Sequence, residues 1–159
     1  MDVKIKSDEG RFKYRVCGVI VNDNKVLAVE IADNGFYCFP GGHVHLGEDT
    51  ISAVKREIKE EVEIEAEEVK LYTIMENFFK EKNGKPFHEL GFYYIIKPKN
   101  LGDKAKDYTR IENDEGKLVE LKFKWINFED IEKFDFRPQV LKEKLKNKDF
   151  SFSHIIFKD

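Results

Sequence analysis

Residues 41–64 read Gly-Gly-His-Val-His-Leu-Gly-Glu-Asp-Thr-Ile-Ser-Ala-Val-Lys-Arg-Glu-Ile-Lys-Glu-Glu-Val-Glu-Ile, and the fold turns on this stretch. From about Asp49 to Val62 the apolar residues Ile51, Val54, Ile58 and Val62 recur at i, i+3, i+7 and i+11, the period of an amphipathic helix with one buried stripe. Each helical residue advances about 100°, so Glu57, Glu60 and Glu61 share the opposite face. Like charges at i+3 and i+4 repel, and acids near a helix C-terminus oppose its dipole, so a cation should compensate them. Lys55, Arg56 and Lys59 could do so as surface ion pairs. A hard divalent cation, Mg²⁺ or Mn²⁺, is the sharper expectation, because such ions take carboxylates, waters and phosphate oxygens as ligands. Ahead of the helix, Gly41, Gly42 and Gly47 stand close to Glu48, where glycines let backbone approach an ion or phosphate closely.

Working outward, residues 12–22 and 25–32 are β-rich runs joined by a turn at Asn22-Asp23-Asn24, and a short run at Phe36–Phe39 ends at Pro40-Gly41-Gly42. Residues 69–79 and 87–97 form a second predicted strand pair around Lys82-Asn83-Gly84-Lys85, the latter strand apolar on both faces. Residues 98–117 read as a long polar connection without periodicity. Val119, Leu121, Phe123 and Trp125 alternate with charged residues as a strand with one wet face. Residues 128–134 suit a helical turn. Pro138 suits the first position of a C-terminal helix that carries Val140, Leu141 and Leu145 inward, and Phe150–Phe157 suits a last strand.

The chain has 159 residues and a formal charge of −3, with 28 Lys plus Arg against 31 Asp plus Glu. That length fits one domain over 1–159, and no linker or repeat divides it. The balance gives no general basic field for a long nucleic acid, but leaves room for a small, locally held anion. No apolar run approaches a membrane span and the N-terminus lacks a signal-peptide core, so a cytoplasmic location without membrane association is expected. Cys17 and Cys38, with no CxxC spacing, suit reduced, buried thiols.

Gly42, Glu48, the run Arg56-Glu57-Ile58-Lys59-Glu60-Glu61 and Ile64 together resemble the signature of the Nudix hydrolases, over Gly42–Ile64. The flanking elements resemble that family's α/β/α sandwich, with a mixed β-sheet, over nearly the whole chain. The resemblance implies metal-dependent hydrolysis of a nucleoside diphosphate linked to another group, by attack of water on phosphorus. It places Glu57, Glu60 and Glu61 at metal-binding positions, joined by a carbonyl from Gly41 or Gly42, with Arg56 orienting its acidic neighbours by pairing with Glu48 or Glu57. Glu57 is the first candidate for general base or metal-bridging acid; Glu112 and Glu115 are the downstream candidates, with Glu120 third. Arg15, Phe39, His45 and Glu48 are the candidate substrate contacts, Lys13 and Arg15 facing a terminal phosphate, while Phe36, Tyr37, Phe78 and Phe79 could also stack on a base. The expected partner is a small phosphorylated substrate of nucleotide type; a homodimer is compatible with the sequence.

Two departures from the family pattern stand out. Glu63 replaces the usual Gly after the helix, where a left-handed cap is wanted, at a cost of about 1 kcal/mol or a shifted helix end. His45 stands where many relatives carry an acid, and His43 and His45 could together take a transition metal. Two other readings remain open at this stage: a nucleotide-sensing module without catalysis, and isomerase chemistry on an isoprenoid diphosphate using Cys38.

Overall fold

The computed structural model describes residues 1–159. Eleven strands and two helices follow one another as β1 (Lys4–Ser7), β2 (Gly10–Asn22), β3 (Lys25–Ile31), β4 (Tyr37–Cys38), β5 (Gly41–His43), α1 (Thr50–Glu57), β6 (Glu65–Lys80), β7 (Pro86–Lys99), β8 (Tyr108–Asp114), β9 (Lys117–Asn127), β10 (Phe136–Arg137), α2 (Val140–Lys146) and β11 (Ser153–Lys158). The central path runs β10-β4-β3-β2-β7-β6-β11. It is mixed: β2 lies parallel to β7 and β6 parallel to β11, while β6–β7 and β3–β9 are antiparallel.

β2 organises the molecule. One edge pairs with β7 over residues 11–20, and the other is shared in succession by β1, β5 and β3. Its tight connection to β3 uses left-handed Asp23 (φ 48) and Asn24 (φ 61), the backbone that a two-residue hairpin demands and that Asn and Asp tolerate. One face of the strands packs Val16, Ile20, Leu27, Ile96, Phe123 and Trp125 against Val54, Ile58 and Val62 of the helical segment. The other packs Val19, Ala28, Tyr72, Met75 and Tyr93 against Phe128, Ile131, Leu141 and Leu145. Helical layers on both sides of mixed strands give the α/β/α arrangement expected from the sequence.

Several local expectations change. The polar stretch 98–117 contains a 3-10 turn at Gly102–Ala105 and the edge strand β8. β8 escapes a hydrophobicity pattern because its inward positions are Tyr108 and Arg110, while Ile111 is 58% exposed. Ile51 is 47% exposed, Ala53 and Val54 being the buried residues of the helix start. Pro138 precedes α2, which begins at Val140, and Val140 is exposed; only Leu141 and Leu145 turn inward. The short N-terminal strand β1 has no counterpart in the sequence reading.

Candidate active site

Asp49 caps α1, its carboxylate accepting the Ser52 N–H at 2.8 Å and the Ser52 hydroxyl at 2.7 Å. After Glu57 the helix widens into a π turn over Ile58–Val62 and ends at Glu63, whose φ 61 and ψ 37 are the left-handed cap conformation. The cost of a side chain there is offset by two cations, Arg110 at 3.2 Å and Lys104 at 3.4 Å from the Glu63 carboxylate. Arg110 also donates to the carbonyls of Glu60 (2.9 Å) and Glu61, and the Tyr108 hydroxyl donates to the Val62 carbonyl at 2.9 Å. β8 therefore caps the carbonyls that the widened turn exposes.

Arg56 is the hub of the acidic face. Nε donates to Glu48 Oε2 at 2.8 Å and Nη2 to Glu48 Oε1 at 2.9 Å, a bidentate fork, while Nη2 also meets the His43 carbonyl at 3.0 Å. Nη1 reaches Glu57 at 2.7 Å and Glu60 at 3.3 Å. Glu48 additionally accepts the His45 N–H at 3.1 Å, and its bonds with Arg56 hold its carboxyl down to about 2. Glu48 thus ties the loop to the helix. His45 likewise turns to Asp2 at 3.3 Å, and His43 stands 3.7 Å from the same aspartate. No three His, Cys, Asp or Glu side chains converge on one point, so the histidine pair does not form a metal cage.

Gly41 and Gly42 are required by space. A Cβ on Gly42 would lie 2.3–2.5 Å from the Glu57 carboxyl, and one on Gly41 would lie 2.1 Å from the Val16 carbonyl oxygen. The Gly41 N–H donates to Glu61 Oε2 at 3.1 Å. Burial pushes the Glu61 carboxyl up to about 7, the Glu112 and Glu57 carboxylates adding to the rise against the Gly41 N–H and Arg15. Burial also raises Glu57, against its pairing with Arg56. Glu57 and Glu61, half-buried with raised pKa, and the exposed Glu60 are hard-oxygen donors along one side of the helical segment, of the kind a divalent cation takes; they are not gathered on one point, Glu57 and Glu60 being held by Arg56 and Glu61 by the Gly41 N–H.

Among the downstream acids, Glu112 lies on β8 two residues beyond Arg110, hence on the strand face that meets the π turn, and its charge reaches Glu61. Glu115 sits in the β8–β9 turn with φ 51, about 10 Å further along the strand direction. Glu120 faces Lys122 at 3.8 Å. A cleft of about 350 Å³ is lined by Arg15, Glu89, Asn77, Phe36 and Arg137 among others, and the Arg15 charge on its wall reaches Glu61. Arg15 stands 3.7 Å from Glu89. Phe39 belongs to its floor: it is 3% exposed, edge-on to Tyr93 and Phe136, so it offers an edge and no open face for stacking. Phe36 is the half-exposed ring of this cleft, with the Arg137 guanidinium 3.9 Å from its centroid. Phe78 and Phe79 stack on His88 and Phe87, and Tyr37 meets Phe134. Asn77, Glu89 and Arg137 carry no sequence motif and are brought together only by β6–β7 pairing and the turn before α2.

Both thiols are held protonated at neutral pH. Burial pushes Cys17 up to about 12 and Cys38 up to about 11, and Cys38 donates weakly to the Val29 carbonyl. A protonated thiol engaged with backbone is a poor general base and nucleophile at neutral pH, which weighs against a thiolate role for Cys38.

Fold and site together define an α/β/α protein with a glycine loop that holds Glu61 and an arginine that holds Glu57 and Glu60 on a helix-to-π-turn junction. The sequence model of the NUDIX domain matches residues 11–146, and the chain belongs to that family. It is 47% identical over 49 residues to an ADP-ribose pyrophosphatase of Methanocaldococcus jannaschii, a match spanning 29% of this chain and 29% of that protein. Among solved structures, a MutT protein from Bacillus halodurans superposes with a TM-score of 0.61 at 16% identity, covering 92% of this chain and 90% of that one. A NUDIX hydrolase from Nitrosomonas europaea gives 0.61 at 17% identity, covering 92% and 79%. These structural likenesses concern the fold. No helix is long and apolar enough to cross a membrane.

Proposed function

We propose that the protein is a metal-dependent pyrophosphohydrolase that cleaves a nucleoside diphosphate linked to another moiety, with water attacking phosphorus. The observation that carries this reading is the Glu57–Glu60–Glu61 set, in which burial keeps Glu61 and Glu57 reluctant to ionise without a cation while Arg56 and the Gly41 N–H fix their positions. Glu57, Glu60 and Glu61, with a backbone carbonyl of Gly41 or Gly42, would hold Mg²⁺ or Mn²⁺. When bound, the ion supplies charge neutralisation of the diphosphate and a more acidic water.

The chain's own residues do the remaining work. Arg56 orients the acids and is a positioning residue. Glu57 is the first candidate to accept the proton of the attacking water, and Glu112 the second, because it projects from β8 toward the same acids. Arg15, beside the cleft, is placed to meet a phosphate, and Phe36 with Arg137 to cover a flat ring. The relative from Methanocaldococcus jannaschii makes ADP-ribose the first substrate to try.

The test is incubation with Mn²⁺ or Mg²⁺ and a panel of ADP-ribose, nucleoside triphosphates, dinucleoside polyphosphates and sugar nucleotides, with products identified by mass. Monophosphate products are expected, and Glu61→Gln should lower turnover at least roughly a hundredfold while the protein still folds. Unchanged turnover in that variant would remove Glu61 from the site. Tight nucleotide binding without any product would instead favour the sensing module.

A further inference from the structure

The whole chain is acidic, yet the β1–β2 hairpin is not: residues 1–15 hold five Lys or Arg against three Asp or Glu. Register concentrates this charge. Lys4 lies opposite Lys13 and Lys6 opposite Arg11, so both like-charged pairs occupy one face, while Ile5 and Phe12 take the other. Like charges directly opposite on neighbouring strands destabilise the pair, and two such pairs in a row need a compensating gain. Intramolecular acids supply only part of it. Lys4 meets Asp2 at 3.2 Å and Arg11 meets Glu81 at 3.3 Å, whereas Lys6 and Lys13 have no acid within 4.0 Å. Lys13 rests over the Phe87 ring.

These side chains line a hollow of about 390 Å³ together with His43, whose Nε2 is buried and has no hydrogen-bond partner. The hollow and the cleft are separate cavities that both border β2, the hollow at Arg11 and Lys13 and the cleft at Arg15. Arg11, Lys13 and Arg15 alternate on one face, Arg15 pairs across the strand with His43, and Arg15 lines the cleft, its charge reaching Glu61. Side chains two residues apart along a strand stand about 7 Å apart, so the row extends about 13 Å away from the candidate centre.

We propose that this row is an anion-binding subsite for a polyphosphate or second phosphate group of a small substrate, lying beyond the anhydride that is cut. The site itself is independent of the hydrolase reading; its use as a substrate handle rests on that reading. It selects among nucleotide-type molecules by charge at a distance: compounds with a phosphate beyond the scissile diphosphate bind, and their counterparts without it lose the contact.

The test uses the full chain with inorganic tripolyphosphate as probe, in EDTA, so that neither metal nor turnover enters. Calorimetry should register one site of micromolar affinity, weakened at least tenfold in Lys4→Gln/Lys6→Gln and unmoved in the control Lys146→Gln/Lys148→Gln, with the β1 variant melting no lower than wild type because two like-charged cross-strand pairs are relieved. Equal weakening in the control would reduce the effect to net charge and overturn the proposal. So would an unchanged affinity in the β1 variant, absence of binding at millimolar probe, or tighter binding of a short RNA oligonucleotide than of tripolyphosphate. In a second arm, the β1 variant should raise KM for a substrate bearing the extra phosphate and leave kcat and the KM of its unphosphorylated parent unchanged. If no substrate is turned over, the hydrolase reading fails while the calorimetry still decides the subsite.

Discussion

A methyl group on Gly42 would have to enter the space held by the Glu57 carboxyl, 2.3 Å from its carbon, whereas one on Gly41 would strike the backbone of β2. The two glycines are adjacent and should fail differently. Gly42→Ala displaces the far end of a side chain, so we expect a melting temperature within about 4 °C of wild type and a loss of at least tenfold in kcat/KM. Gly41→Ala must move strand against strand, and a loss of about 1–3 kcal/mol in urea unfolding is expected. Equal effects on stability would contradict the assignment of Gly42 to the carboxyl. Glu48 supplies a second residue-scale test. Its carboxyl ionises near 2 when folded against an ordinary 4.5, so the unfolded chain takes up the proton first as pH falls. The contribution is intact above about 4.5 and is lost as pH drops from there toward 2. Acid titration followed by circular dichroism should therefore show Glu48→Gln less stable than wild type at pH 7, with the difference shrinking below pH 4.

At the scale of elements, the helical segment is legible in the sequence because its 3.6-residue period and its acids lie on one short stretch. That the three glutamates share one face follows from local spacing, while the orienting role of Arg56 and the left-handed position of Glu63 come from the resemblance to the Nudix signature. What the sequence hides is the clamp across it. β8 presents Tyr108 and Arg110 inward and Ile111 outward, an inversion of the usual pattern, because the surface it packs on is a row of polar carbonyls from the π turn. Hydrophobic alternation cannot report a strand whose partner is polar, and only the register of β8 with β9 brings Arg110 to Glu63. The cleft residues Asn77 and Glu89 are hidden for a related reason, since their meeting depends on pairing between strands about a dozen residues apart. Arg110→Met leaves the aliphatic bulk and removes the donors to two carbonyls and the ion pair to Glu63. Charge-assisted bonds of this kind are each worth about 1.5–3 kcal/mol when buried, and partial exposure lowers that, so a net loss of about 1–3 kcal/mol in chemical denaturation is expected. Hydrogen exchange at the end of the helical segment should accelerate in the same variant; protection equal to wild type would show that β8 does not hold the π turn.

For the whole molecule, two apolar clusters flank the strands, and Glu61 is half-buried by the fold, while the proposed chemistry would need it charged. This sets stability against function across neutral pH. The Glu61 carboxyl releases its proton near 7 when folded and near 4.5 when unfolded, so the folded state binds more protons between those values. The contribution of Glu61 to stability then falls as pH rises from about 4.5 to 7, the opposite sign to Glu48 and in a separate window. Burial holds the His43 ring down to about 4 against an ordinary 6.5, which raises stability with pH over much of the same range, so the Glu61 contribution is read by comparison: without added metal, the melting temperature of Glu61→Gln, which cannot ionise, should gain on that of wild type as pH rises from about 4.5 to 7. A divalent cation reverses the balance by favouring the carboxylate, and its uptake at pH 6.5 must expel the proton that Glu61 still holds. Calorimetric titration of Mn²⁺ in two buffers of different ionisation enthalpy should resolve a fraction of one proton released per ion at pH 6.5, falling toward zero by pH 8.5. Release that persists unchanged at pH 8.5, or is equally large in Glu61→Gln, would place the proton on another group and detach Glu61 from the cation.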